Sequence, residues 1–283
     1  TRLTYSNNST FYSPFRLPEF QNTYGSETGE WYSWASKLSS PTDYEVKDFF
    51  QTGYNVANTV SLTTGTQKNQ TYVSVGAVNA RGIIQNNDLD RYNFSVRNTT
   101  SMLNDKLTMD LSFMYSNVKE QNMLSQGEYA NPLVPVYLFP RGDDFSKYQY
   151  YERYDVDRNI KTQFWPLKEN GLSMQNPYWI AYRNVRTNEK KRYMLNAGLT
   201  YDILDWLNVS ARIRVDNTDN TYQQKLYAST ISTLTEGSTQ GHYTIQKVNE
   251  TQTYADFMVN INKRIDDFTV VVNAGTSSVS YTH

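Results

Sequence analysis

The stretch that decides the fold is residues 107–116, LTMDLSFMYS. Its side chains alternate between apolar and polar, with Met114 as the apolar exception on the polar side. A period of two places alternate side chains on opposite faces of a β-strand. The stretch therefore predicts a strand with one apolar face and one polar face.

The same alternation recurs along the chain, in residues 91–97, 192–203, 207–216, 255–262 and 268–275. Residues 56–65 and 71–81 are less regular, and the pattern assigns no faces to them. We expect strands of roughly 10 to 14 residues, near or above the ~9–11 that cross a bilayer at a tilt. The polar faces carry charged and amide side chains, as the interior of a wide, water-filled barrel does.

Connection lengths also alternate. Tight polar turns are predicted at residues 104–106, 204–205 and 266–267, with a fourth near 67–69, while the connections 82–90, 119–189 and 217–249 are long. Short turns at one end and long loops at the other are typical of outer-membrane barrels. A soluble sandwich can also place its long loops at one end, so this alternative stays open.

Composition narrows the class of protein. The chain has 283 residues, a formal net charge of −1 and no cysteine, which excludes disulfides and thiolate metal sites. Aromatic residues make up 14% of the chain although the mean hydropathy is −0.69. Tyrosine and tryptophan are enriched where a barrel meets the membrane interfaces. A tyrosine-rich soluble sandwich fits the composition equally well.

Several stretches, taken in order, resemble the SusC/RagA-like TonB-dependent transporters of Bacteroidetes. They include PEFQNTYG at 18–25, VKDFFQTG at 46–53, GIIQNNDLDR at 82–91, YLFPR at 137–141 and NPYW at 176–179. The resemblance covers most of residues 18–200 and continues more weakly to the end. The stretches at 46–53 and 82–91 are together highly specific.

The resemblance implies an all-β, antiparallel, up-and-down transmembrane barrel of 22 strands around a plug. This chain would supply about eight of those strands with their long extracellular loops. Residues 1–54 would be an extracellular loop region, whose leading strand is either missing or at the very start. Residues 55–283 would be barrel strands and loops, and the plug and remaining strands would lie outside this partial chain.

The implied function is energy-dependent import of nutrients, oligosaccharides or peptides, across the bacterial outer membrane. The implied partners are a SusD-like surface lipoprotein, the TonB–ExbB–ExbD complex and outer-membrane lipid, in a dimer of transporter–lipoprotein pairs. The alternative is a non-transport barrel or surface β domain for adhesion or carbohydrate binding. Acidic residues interleave the basic ones throughout, which disfavours nucleic acid as a partner.

We expect no enzyme, cofactor or metal site. The two histidines, His242 and His283, are too few for a triad or a zinc site. The carboxylates at 143–144 and at 155 and 157 lack EF-hand spacing, so solvated loop carboxylates are favoured over a calcium site. Residues 141–143 spell Arg-Gly-Asp, for which a loop role is favoured over adhesion.

Two groups of candidate site residues follow. Aromatic side chains in the loops suit sugar faces and protein interfaces alike, and packing or lipoprotein contact is favoured over direct substrate contact. These are Trp31, Trp34, Tyr148, Tyr151, Trp165 and Trp179. Charged side chains on the polar faces would line the lumen, where anchoring of a plug is favoured over tuning of the substrate path. These are Arg97, Asp110, Arg212, Arg214, Asp216 and Asp256.

Overall fold

Nine antiparallel strands form the main sheet of the computed structural model, which describes residues 1–27, 29–42, 44–167 and 175–282. The strands in chain order are β1 Arg2–Tyr12, β2 Gly53–Gly65, β3 Asn69–Arg81, β4 Asp88–Met102, β5 Leu107–Gln121, β6 Glu152–Asp155, β7 Ile160–Gln163, β8 Asn184–Leu204, β9 Leu207–Leu226, β10 His242–Ile265 and β11 Phe268–Thr282. Strands β6 and β7 form a separate hairpin.

The main sheet follows chain order, β1-β2-β3-β4-β5-β8-β9-β10-β11, and every neighbouring pair is antiparallel. The sheet is open, because β1 and β11 each pair with a single strand among the described residues. This up-and-down arrangement is the all-β architecture predicted from the alternation.

The register assigns one face of the sheet to apolar side chains. One row of directly paired residues crosses seven strands and is apolar at every position. It consists of Leu3, Leu62, Val73, Val96, Phe113, Leu195 and Val215. The row fixes the faces of β2 and β3, which the sequence pattern left unassigned. We call this side of the sheet the apolar face and the other side the polar face.

Turn lengths differ between the two ends of the sheet as predicted. Residues 66–68, 103–106, 205–206 and 266–267 make the short turns, and 13–52, 82–87, 122–183 and 227–241 make the long connections at the other end. The turn after β8 begins one residue later than the sequence suggested.

Three predictions from sequence differ from the structure. Strand β1 is a ninth strand and lies within the 1–54 segment, so the leading strand is present at the very start. Strands β8, β9 and β10 are 21, 20 and 24 residues long, not 10 to 14. The prediction that 217–249 form a loop is wrong, because 217–226 pair with 242–251. Those segments are rich in Asn, Gln and Thr on both faces, so they pair without hydrophobic alternation.

The buried core lies in the long connections, not in the sheet. We call the described parts of these four connections the loop cap. The cap contains two short helices, α1 (Leu133–Tyr137) and α2 (Pro177–Arg183), and two single 3-10 turns, Val46–Phe49 and Phe145–Gln149. Its core is formed by Val46, Phe49, Ile84, Val136, Phe139, Phe145, Tyr148 and Tyr178.

Candidate functional site

The polar face collects all six of the charged residues singled out from the sequence. In the strand register, Asp110 on β5 lies opposite Gly198 on β8, Gly198 lies opposite Arg212 on β9, and Arg212 lies opposite Asp256 on β10. Arg97 lies on the neighbouring strand β4 with its side chain on the same face, where it reaches Asp110. Arg214 and Asp216 follow Arg212 along β9 at intervals of two residues, so their side chains share its face.

Ion pairs connect these strands. Arg97 Nη2 lies 2.5 Å from Asp110 Oδ2, and Arg212 Nη2 lies 2.9 Å from Asp256 Oδ2. Asp216 accepts from Arg192 at 2.5 Å, while Arg214 Nε donates to Asn196 Oδ1 at 2.8 Å. Each of these three acids therefore has a basic partner on an adjacent strand, while Arg214 contacts an amide, so the face carries fixed charges of both signs.

A depression of about 780 Å³ lies on this part of the polar face. Its lining includes five of the six predicted charges, Arg97, Asp110, Arg212, Arg214 and Asp216. Threonine, serine and amide side chains complete it, including Thr108, Ser112 and Asn196. Such a surface is suited to water and to hydrogen-bonding groups, and not to a hydrocarbon environment.

The apolar face is exposed in the structure. Leu195, Leu199 and Ile213 retain 45%, 48% and 48% of their accessible surface. Exposed apolar patches of this continuity mark contact with a membrane or another protein. On β5 the apolar residues run from Leu107 to Tyr115, which at about 3.4 Å per residue and a tilt of about 40° gives a band of roughly 20 Å. That height approaches the ~25 Å apolar band of outer-membrane barrels.

The loop aromatics fall into three groups by burial. Trp179 is fully buried, with Nε1 donating to Thr230 Oγ1 at 3.1 Å, and Tyr148 is buried with its hydroxyl donating to Asp143. Tyr151 and Trp165 are half-buried against the cap core. Trp34 is 70% exposed, and Trp31 is half-buried and stacks on the exposed Tyr32. Of the six, Trp31 and Trp34 are the two that are neither buried nor packed against the cap core.

Asn176 organises the loop cap, and the sequence analysis quoted it only as part of a motif. Its Oδ1 accepts from the backbone N–H groups of Tyr178 (2.8 Å) and Trp179 (3.4 Å), which caps α2. Its Nδ2 donates to the carbonyls of Tyr148 (2.7 Å) and Phe164 (2.9 Å). The signal in the sequence is Asn followed by Pro, a pair favoured at a helix N-terminus.

Four ionisable groups of the cap, the hydroxyls of Tyr44, Tyr148 and Tyr178 and the carboxyl of Glu152, are held in uncharged or paired forms. Burial raises the pKa of the Tyr178 hydroxyl to about 12 and raises the pKa of Tyr44 and Tyr148 further still. Glu152 accepts from Lys161 and Arg183, each at 2.7 Å. Burial alone would raise the pKa of Glu152, but these two hydrogen bonds and charges together lower it.

Two kinds of feature are absent from the described residues. They hold no group of three or more His, Asp or Glu side chains arranged to bind a metal ion. No helix among them is both long enough and apolar enough to cross a membrane. His283, noted in the sequence analysis, lies outside the described residues.

Solved structures with a similar fold are known for this architecture. Neither a protein-family model nor a curated protein matches the sequence. The chain folds like part of a RagAB importer chain. The structure of the RagAB peptide transporter matches 83% of this chain with a TM-score of 0.62 and 17% identity. The structure of the RagAB peptide importer in its closed-closed state matches 86% of this chain with a TM-score of 0.62 and 17% identity. The open-open state matches 86% of this chain with a TM-score of 0.58 and 16% identity.

The matched part of RagAB is a minority of its chain. This chain spans 25% to 26% of the length of those RagAB chains. At this level of identity the likeness establishes the fold, a partial barrel wall with its loops.

Proposed function

We propose that this chain forms part of the wall and surface loops of an outer-membrane nutrient importer. The single observation that carries the proposal is the exposed apolar face backed by a charged polar face, in one sheet with all its long connections at one end. A soluble sandwich would cover its apolar face with a second layer. In the described part of the chain no such layer exists, and lipid is the environment that satisfies the exposed leucines, isoleucines and valines.

Transport in this proposal needs no covalent chemistry. Substrate crosses on the polar side of the wall, where paired charges and hydroxyls replace part of its hydration. The compensated ion pairs suit the docking of a plug, because they present fixed charges of both signs in a small area. Asp110 and Arg212 would lie at the centre of that contact, with the buried Asp256 holding the side chain of Arg212 in place.

The partners in this proposal are a SusD-like surface lipoprotein above the loop cap and the TonB–ExbB–ExbD complex, which would act through a plug outside this chain. Support comes from the sequence resemblance and from the fold shared with structures of the RagAB peptide importer. Oligosaccharides and peptides both remain substrate classes of the proposal, and a dimer of transporter–lipoprotein pairs is its assembly. Trp31 and Trp34, exposed or half-buried at the cap surface, are the aromatic side chains best placed to contact the lipoprotein or the substrate.

The test is to purify the natural polypeptide in detergent from its source membrane, measure its intact mass and identify what co-purifies. We expect a chain roughly three to four times this length, in keeping with a 22-stranded plugged barrel, together with a lipoprotein. A barrel without a lipoprotein or plug would favour the adhesion alternative. A polypeptide that is soluble without detergent would contradict both and favour a carbohydrate-binding sandwich.

A further inference from the structure

The loop cap buries the guanidinium of Arg141, which has no acidic partner among the described residues. Arg141 is 6% exposed, and its Nη2 is buried with no hydrogen-bond partner among the described residues. Elsewhere in the cap, Arg183 illustrates the usual solution, since it pairs with Glu152 at 2.7 Å. Arg141 is therefore an exception that needs a physical explanation.

Aromatic rings and backbone contacts hold Arg141 in place. Its guanidinium carbon lies 4.4 Å from the centroid of the Phe20 ring and 5.8 Å from that of Tyr44. Its carbonyl accepts from the N–H of Ser26 at 3.0 Å. Gly142 follows with φ +94°, and a Cβ there would stand 2.7 Å from Leu38, so this turn requires glycine. The side chain is thus positioned before any ligand arrives.

Three described carboxylates of the cap, those of Glu45, Asp143 and Asp144, are engaged elsewhere. Glu45 pairs with Lys47 at 2.5 Å, and Asp143 accepts from the Tyr148 hydroxyl at 2.8 Å. Asp144 caps the 3-10 turn that begins at Phe145, accepting from Ser146 N at 3.0 Å. None of the three neutralises Arg141.

An uncompensated buried charge is costly. Stacking on aromatic rings offsets only a small part of the cost of burying an ion without its partner. Burial lowers the pKa of the Arg141 guanidinium, with Tyr44 opposing the effect, yet arginine stays protonated in proteins. The arrangement becomes favourable when an anion is supplied from outside the cap.

Arg141 lines a cavity of about 510 Å³ together with the two rings that contact its guanidinium, Phe20 and Tyr44. Its lining includes Leu17, Glu19, Phe20, Thr42 and Lys47 as well as Arg141. Two basic residues, Lys47 and Arg141, face two acidic ones, Glu19 and Glu45, so the lining is formally neutral. A group with one negative charge fits that balance better than a phosphate dianion, and a planar carboxylate matches the two-pronged donor geometry of arginine.

We propose that Arg141 is the anchor of a carboxylate-binding site in the loop cap. The ligand is a molecule with a single accessible carboxylate, either an acidic peptide or a uronic-acid sugar. The carboxylate would enter the cavity between residues 17–22 on one side and residues 42 and 44–47 on the other and pair with the guanidinium, while Phe20 and Tyr44 keep the guanidinium plane fixed. The site rests on the geometry of the cap and does not require that the chain be an importer.

Calorimetric titration of the intact natural polypeptide in detergent tests the site. The peptide probes are N-acetyl-Ala-Glu-Ala amide and its Gln counterpart, and the sugar probes are methyl glucuronide and methyl glucoside. We expect at least one carboxylate probe to bind tenfold or more tightly than its neutral counterpart. The arm that shows the preference identifies the source of the carboxylate.

Two variants and a control connect the preference to Arg141. Arg141→Gln abolishes it, and Arg141→Lys, which keeps the charge and loses the two-pronged geometry, weakens it at least threefold. Arg153 stacks on Phe164 but is exposed, so Arg153→Gln serves as the matched control and leaves the preference intact. Folding of each variant is judged by its thermal midpoint. If Arg141→Gln does not fold, the carboxylate preference of Arg141→Lys is the test of the proposal.

The proposal is overturned if neither carboxylate probe is preferred in the unaltered protein. It is also overturned if a folded Arg141 variant keeps the full preference. Because the titration does not measure transport, an importer without this preference would contradict only the carboxylate site. A soluble protein that shows the preference would contradict only the importer.

Discussion

At the scale of single residues, Asn176 connects more of the loop cap than any pattern in the sequence suggests. Its buried side chain caps α2 and bonds the carbonyls of Tyr148 and Phe164. We expect Asn176→Ala to destabilise the cap by about 2–3 kcal/mol, because a helix cap is lost and two buried carbonyls lose their donor. Hydrogen exchange of residues 145–167 would accelerate, while that of β5 would not.

Gln126 provides the control for this substitution. It is exposed in the same long connection, and Gln126→Ala removes a similar amide side chain from the surface. We expect its exchange rates to match those of the unaltered protein. Equal exchange in both variants would contradict the role assigned to Asn176.

Glu152 makes part of the stability of the cap depend on pH. Its folded-state pKa is lowered, so its contribution is present above the unfolded pKa of about 4.3 and is lost as pH falls through the folded value. We expect protease resistance of the cap to fall on acidification below about pH 4. Glu152→Gln should already show the weakened cap at pH 7 and respond less to acid. An unchanged acid response in Glu152→Gln would contradict this account.

At the scale of secondary-structure elements, each strand should tolerate charge on one face only. Leu111 lies in the middle of the apolar residues of β5 and is exposed, whereas Thr108 lies on the polar face of the same strand and lines its depression. We expect Leu111→Arg to destabilise the folded barrel in lipid vesicles by about 2–4 kcal/mol and Thr108→Arg by less than about 1 kcal/mol. Urea titration of both variants measures the difference, and equal losses would contradict the assignment of faces.

Alternation predicted the strands that cross the apolar band and missed their continuation. Residues 107–115 alternate because one face avoids water, and there the sequence and the register agree. Above the band, Tyr222 pairs with Gln246 and Asn220 with Val248, where both faces meet water. The two faces do not differ in burial there, so apolar and polar side chains do not alternate in the sequence. Backbone pairing alone extends β9 and β10, and only the structure reveals it.

The candidate site on the polar face was likewise predictable in part from the sequence. Charges on alternate residues of β9 could be assigned to one face from sequence, because strand geometry fixes them. Which acid pairs with which base depends on register between strands far apart in the chain, as Arg212 and Asp256 show. The buried position of Trp179 and the burial of Arg141 without an acidic partner among the described residues arise from packing between separate connections, so local pattern holds no signal for them.

At the scale of the whole molecule, the chain combines a two-faced wall with a self-packed cap. The wall has little core of its own, and the cap contains nearly all of the buried apolar side chains. Under the proposed function, an apolar solvent would cover one side of the sheet and water the other.

The most direct test of that claim is an accessibility scan of residues 107–116. The chain has no cysteine, so single cysteines can be introduced there and spin-labelled without background. In the intact protein in lipid, we predict that labels at 107, 109, 111, 113 and 115 collide mainly with oxygen dissolved in the bilayer. Labels at 108, 110, 112 and 116 would collide mainly with a water-soluble nickel complex. Equal access of the nickel complex to both sets would contradict a membrane-spanning wall.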